Sequence, residues 1–126
     1  MKIYTSYFGA AKKLPKELTQ ISICLHPPRG YYGLEYRRLA PTFDILEAWK
    51  RCPVEEDYVR NYNAKVLDKL NPETVYHQLE VLTDGNDCVL LCYEVPSDFC
   101  HRHLVADWFK KAGYDVEEIN VKKGKK

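Results

Sequence analysis

The chain has 126 residues, 45% of them apolar, which is enough for one buried core and short for two. Its formal charge of +1 excludes a broadly basic nucleic-acid coat and leaves the terminal VKKGKK as a locally basic stretch. No apolar run approaches the roughly 18 residues of a membrane span, and MKIYTSYFGAAKK lacks the apolar core of a signal peptide, so a cytoplasmic location away from membranes is expected.

In chain order, MKIYTSYF is β-prone and opens the fold, and AAKKLPKEL reads as a weak helix or loop interrupted by Pro15. ISICL is a second short strand. HPPRGYYGLEYRRLAPTF carries three prolines, two glycines and three tyrosines without apolar period, and reads as an ordered loop. Structureless loops beyond about 12–15 residues are uncommon in compact domains and often functional.

Thr42 is placed to cap a helix with Ile45, Leu46 and Trp49 at helical spacing, ending before Pro53. A second helix is expected from about Val54, with Tyr58, Val59, Tyr62, Val66, Leu67 and Leu70 on one stripe, to Asn71-Pro72. PETVYHQLEVL is a third, with Pro72 suited to its first turn. TDGND is a turn into CVLLCYE, whose continuous apolar run suits a strand covered on both faces. A helix follows from about Asp98 to Ala112, stopped by Gly113, and DVEEINV is the last strand.

Strands alternating with helices predict right-handed crossovers and a three-layer α/β sandwich, a small, mainly parallel sheet flanked by helices. One domain is expected over residues 1–121, with a basic flexible tail at 122–126. Five cysteines, an odd number without disulfide spacing, are expected to be thiols in a reducing compartment, with a transient Cys92–Cys100 disulfide as the open alternative. Cys24 and Cys88 fall inside apolar strands as small core residues, and Cys52 at a helix end.

Chemistry concentrates where the fourth strand meets the last helix, in LCYEVPSDFCHRHLVADWFKKAGY. Cys88, Leu90, Cys92 and Glu94 share one strand face, with Glu94 at the carboxyl end, where open α/β sheets bind ligands. With Ser97 or Asp98 as cap, Phe99, Cys100, His101 and Arg102 fall in the first helical turn, whose free amides favour an anion. Taking Leu104, Val105, Trp108, Phe109 and Ala112 as the buried face, His101 points toward Glu94, and Cys100 and Arg102 flank it. His103 then faces solvent. His101 and His103 diverge by about 160° and cannot share one ion. Cys92, Cys100 and His101 are able to converge on zinc, but without a paired-cysteine ribbon no resident metal and no cofactor are expected.

A cysteine near an arginine at a helix start has a lowered pKa, which points to Cys100 as a nucleophile with His101 and Glu94 moving protons. The alternative is a packed Cys100 and a structural His101 satisfied by Glu94. Tyr4 and Ser6 share a face near the carboxyl end of the first strand. The long loop contributes Arg29, Tyr32, Tyr36 and further Tyr and Arg side chains, which suit stacking on a base and gripping a phosphate or, equally, packing the loop.

The segment VLLCYEVPSDFCHRHLVADWF resembles the LLC-x-E…CHR signature of the domain of unknown function 488 family, and YTSYF and PPRGYYGLEYRRLAP resemble segments of one bacterial and phage branch. The resemblance covers essentially the whole chain. Other members more often carry TIGHS in the first strand and DVR after the second, so roles of that histidine, aspartate and arginine do not transfer. The resemblance implies a small α/β fold whose shared polar residues gather at one sheet edge.

Two functional classes fit these readings. One is an enzyme acting on a nucleotide or nucleic-acid component, by N-glycosidic or phosphate chemistry, with Glu94, Cys100, His101 and Arg102 catalytic and Tyr4, Ser6, Arg29, Tyr32, Tyr36 and Cys92 binding. In it, Arg102 and Arg29 hold the phosphate of a small anionic ligand such as a nucleotide. The other is a non-catalytic module binding a nucleotide or a protein through the same pocket.

Overall fold

The structure is a computed structural model that describes residues 1–93 and 99–120. Five strands, β1 (Ile3–Tyr7), β2 (Thr19–Ser22), β3 (Leu34–Glu35), β4 (Cys88–Cys92) and β5 (Val116–Glu118), form one sheet in the order β3-β2-β4-β1-β5. Every pairing is parallel. β4 occupies the centre, and all five of its residues are buried, as its unbroken apolar run requires.

Right-handed crossovers decide which face each connection covers. The chain runs one way from β1 to β2 and the opposite way from β3 to β4 and β4 to β5, so these links lie on opposite faces. Helices α1 (Phe43–Arg51), α2 (Glu55–Lys65), α3 (Pro72–Thr83) and α4 (His101–Lys111) cover one face. Their Ile45, Tyr62, Leu79 and Phe109 pack on Ile3, Ile21, Cys88 and Leu90. Among the described residues, the other face carries only a 3-10 turn at Phe8–Lys13 and loop residues, where Ala10 and Leu14 meet Val89 and Leu91. The second outer layer of the α/β sandwich is therefore thin.

Local chemistry sets the boundaries. Asn71 caps α3 by accepting from the amides of Glu73 and Thr74 at 2.9 and 3.1 Å, and Pro72 opens the helix. Gly85, at φ 81°, follows the helix end and turns the chain into β4. Two expected elements differ. The second helix ends at Lys65, because the backbone of Val66 leaves helical geometry and lets both Val66 and Leu67 reach the core; a 3-10 turn at Leu67–Lys69 follows. The long loop contains β3 and a 3-10 turn at Arg37–Leu39, held by Tyr36 N donating to Ser22 O at 2.8 Å. Thr42 stands at the cap of α1, yet its hydroxyl bonds Asp44 instead of a backbone amide.

The last helix departs most. α4 begins at His101 with Cys100 in the cap position, so Phe99 and Cys100 precede it. Its buried face is His101, Arg102, Val105, Ala106 and Phe109, while Leu104 and Trp108 are half-buried and Ala112 is exposed. The stripe is thus turned toward Arg102, and His103 is half-buried where solvent exposure was expected. Glu94, the suggested caps Ser97 and Asp98, and the tail at 122–126 lie outside the described residues. No helix among the described residues is long and apolar enough to cross a membrane.

Tyr62 is fully buried and donates its hydroxyl to the carbonyl of Leu39 at 2.6 Å, tying α2 to the loop before α1. Tyr62→Phe removes that donor and leaves the carbonyl buried. The variant is expected to lose about 1–3 kcal/mol in urea denaturation with an unchanged slope; a loss below about 0.5 kcal/mol would mean that the bond contributes little to the fold.

Candidate functional site

The chain leaves β2 for β3 at one edge of the sheet and leaves β4 for β5 at the other, so the connections diverge between β2 and β4. Such a switch point opens a crevice at the carboxyl ends of the strands. A cleft of about 750 Å³ lies there. Cys24, Leu25 and His26 after β2 and Cys92 and Tyr93 at the end of β4 form one side of it, while α1, α2 and the residues entering α4 form the other.

One wall is aromatic. Phe99 packs against Trp49 with ring centroids 5.1 Å apart and edge-on against Tyr58 at 4.9 Å, and Trp49 meets Tyr58 at 5.5 Å. The lining also carries Cys92, Cys100 and His101, whose side-chain donor atoms lie within 4.8 Å of one another. Cys92 and Cys100 are joined as a disulfide, the alternative to thiols throughout; Cys24, Cys52 and Cys88 are outside any disulfide. Cys88 is a core thiol pushed up to about 12 by burial.

His101 is buried, and its Nε2 lies 2.7 Å from the carbonyl oxygen of Ile23. A carbonyl only accepts, so Nε2 carries the proton and Nδ1 presents a lone pair. Nδ1 is 3.9 Å from the sulfur of Cys100. Burial pulls the imidazole down to about 4, which keeps it neutral near pH 7. The ring also stands edge-on to Tyr62 at 5.5 Å.

Arg102 is fully buried and does not line the cleft. Its Nε donates to both carboxylate oxygens of Glu118, its Nη2 donates to one of them at 2.9 Å, and its Nη1 donates to the sulfur of Cys92 at 3.3 Å. The anion at the start of α4 is thus supplied by the chain itself, from β5. Burial alone would raise the Glu118 carboxyl, but the bonds from Arg102 and Thr5 hold it below its ordinary value. Arg102 is thus bonded within the protein, to Glu118 and Cys92, and is not presented to the cleft. The first turn of α4 holds no acidic side chain, so Glu118 offsets the charge that the helix dipole would disfavour.

The remaining expected residues do not join this cluster. Tyr4 packs on the far face with Val89 and Leu91, and Ser6, on the same strand phase, donates to the carbonyl of Ile119. Side-chain alternation puts both on the opposite face of the sheet from Cys92. Arg29 and Tyr32 flank a shallower concavity of about 420 Å³ on that far side, with Tyr32 94% exposed. Tyr36 is buried and donates to Gln78, so it packs the loop. Sequence reasoning missed Glu118, Trp49, Tyr58 and Phe99 as site residues. Glu118 shares the inward phase of Val116 on a short strand, and an acid there was the available signal.

Residues 3–113 match the family model DUF488-N3a, whose description is "Active DUF488-N3 subclade". The chain belongs to the DUF488 family. The match runs from the start of β1 past the end of α4 and so includes every cleft residue named above. No curated protein and no solved structure matches the chain significantly.

Glu118→Ala would leave the Arg102 guanidinium buried without its carboxylate. Removing one partner of a buried pair costs about 3–5 kcal/mol, reduced here because Glu118 keeps 24% of its side-chain surface exposed. The carboxyl is lowered in the folded state, so its contribution is present above its unfolded pKa and disappears as pH falls through the folded value. Wild type is expected to lose stability below about pH 4.5 more steeply than Glu118→Gln in pH-dependent urea melts; parallel curves would refute the pairing.

Proposed function

We propose that this DUF488 member is an enzyme acting on a nucleotide or nucleic-acid component in the cleft, with cleavage or exchange at an N-glycosidic bond as its reaction. One observation carries the reading: a single cleft at the sheet switch point is lined both by three packed rings and by the Cys92, Cys100 and His101 cluster, a stacking surface beside polar groups. Stacking on an aromatic side chain is worth about 1–3 kcal/mol per base and suits any base. The family description as an active subclade agrees with a member that retains chemistry.

Glycosidic chemistry is favoured over phosphoryl transfer on charge grounds. Arg102, which donates to Cys92 of the cluster, is held by Glu118, and among the described residues no guanidinium lines the cleft to meet a transferring phosphoryl group. Lys50 and His26 are exposed at the rim, where a sugar-phosphate tail would emerge. Glu94, two residues beyond Cys92 in the chain, is assigned as the general base or as the carboxylate that stabilises a developing oxocarbenium ion. A non-catalytic binding module is the second reading, favoured by the internal bonds that His101 and Arg102 already make.

Tryptophan fluorescence tests the site against nucleosides, nucleotides, NAD and ADP-ribose. A ligand is expected to quench wild type and Trp108→Phe but not Trp49→Phe, and to stabilise the protein by about 2.7 kcal/mol at a hundred times its dissociation constant. Glu94→Gln should keep the quench and lose turnover of the ligand so identified. No quench and no stabilisation across the panel would remove the nucleotide reading; retained turnover in Glu94→Gln would remove its carboxylate from the mechanism.

A further inference from the structure

Beyond the reading above, and resting on it only for the use of the cleft, we propose that Cys92, Cys100 and His101, when the two cysteines are reduced, bind one zinc ion whose fourth coordination position opens into the cleft. Geometry, hydrogen bonding and charge carry this. The donors, two sulfurs and one imidazole nitrogen, are a set that zinc accepts, and they already lie within 4.8 Å of one another. A tetrahedral zinc with bonds of about 2.0–2.3 Å needs its donors roughly 3.5–3.8 Å apart, close to the 3.9 Å between Cys100 Sγ and His101 Nδ1.

The histidine is also preset for a metal. Ligating histidines donate their second nitrogen to a carbonyl or carboxylate, which fixes the tautomer and ring orientation. The Ile23 carbonyl does this for Nε2 and leaves the Nδ1 lone pair on the side of the two sulfurs. The Cα atoms of Cys92 and Cys100 are 7.3 Å apart, wider than the usual 4.4–6.8 Å span of disulfides and ample for two sulfurs that meet on one ion.

Charge closes the argument. Zinc with two thiolates and a neutral imidazole is neutral, and Arg102 with Glu118 is neutral, so these buried groups assemble without a surplus charge. The Nη1 donor on Cys92 Sγ matches a thiolate ligand. All three donor residues line the cleft, so a water or substrate atom completes the coordination, as in catalytic and not structural zinc sites. Loading requires a dithiol reductant, whose own two thiols become a disulfide while Cys92 and Cys100 become thiols. Zinc binding then releases their two protons. Oxidation of the pair by a disulfide compound expels the ion.

The test uses the full chain, reduced and stripped of metal under anaerobic conditions. One equivalent of cobalt is expected to give the visible bands of a tetrahedral site with thiolate charge transfer, and one equivalent of zinc to bleach them. Zinc should protect Cys92 and Cys100, but not Cys52, from alkylation read by mass spectrometry, which requires no variant. Cys100→Ser and His101→Gln are expected to weaken zinc binding by more than the 10–100-fold that an outer partner costs, whereas Cys52→Ser leaves it unchanged. Absence of the cobalt spectrum, or equal alkylation with and without zinc, overturns the proposal. Nucleoside quenching of Trp49 in that same sample separates the two readings: quenching without zinc uptake removes only the metal site, and zinc uptake without quenching removes only the nucleotide.

Discussion

Burial of the first turn of α4 is the constraint on which the carboxyl edge of the sheet depends. His101 and Arg102 are adjacent in the chain, and both are polar, buried and committed to strands or strand ends. His101 reaches the backbone after β2, Arg102 reaches β5 and the sulfur at the end of β4, and Cys100 joins Cys92. One turn of helix thus fixes three strand ends relative to each other. A buried guanidinium or imidazole is tolerated only with such partners, since an unpaired one costs several kcal/mol.

That anchoring also shapes the cleft. With α4 held at its N-terminus, Phe99 is carried against Trp49 and Tyr58 and completes the aromatic wall. The sheet order contributes the other half, because β4 inserted between β1 and β2 makes the chain diverge on either side of the opening. The two faces consequently differ in kind. The helix side holds a deep cleft with titratable groups and rings, and the far side holds a thin cover of 3-10 turn and loop with shallower concavities near Lys12, Arg29 and Tyr32.

Much of this was legible in the residues. The apolar run of β4, the cap-and-proline start of α3 and the stop at Gly113 are local signals, and local physics decides them. Cys92, Cys100 and His101 were placed together because strand alternation and helix rotation bring them to one edge, and the structure brings them together. The helix start was misjudged by three residues, since Ser97 and Asp98 are stronger cap types than Cys100; packing of Phe99 and His101 outweighed that preference. Arg102 was taken for a ligand grip because its partner, Glu118, is distant in sequence and only β5 pairing with β1 brings it near. Tyr4 and Ser6 lie near the carboxyl end of β1, but alternation places them across the sheet from Cys92.

We propose that function resides in the helix-side cleft between the carboxyl ends of β2 and β4. Amide and side-chain NMR shift mapping of the isotopically labelled, full chain during titration with a nucleoside monophosphate tests it most directly. The account predicts perturbations at Cys24, His26, Trp49, Tyr93 and Phe99, with Lys12, Arg29 and Tyr32 unmoved. Shifts confined to Lys12, Arg29 and Tyr32 would place binding on the opposite face and contradict it.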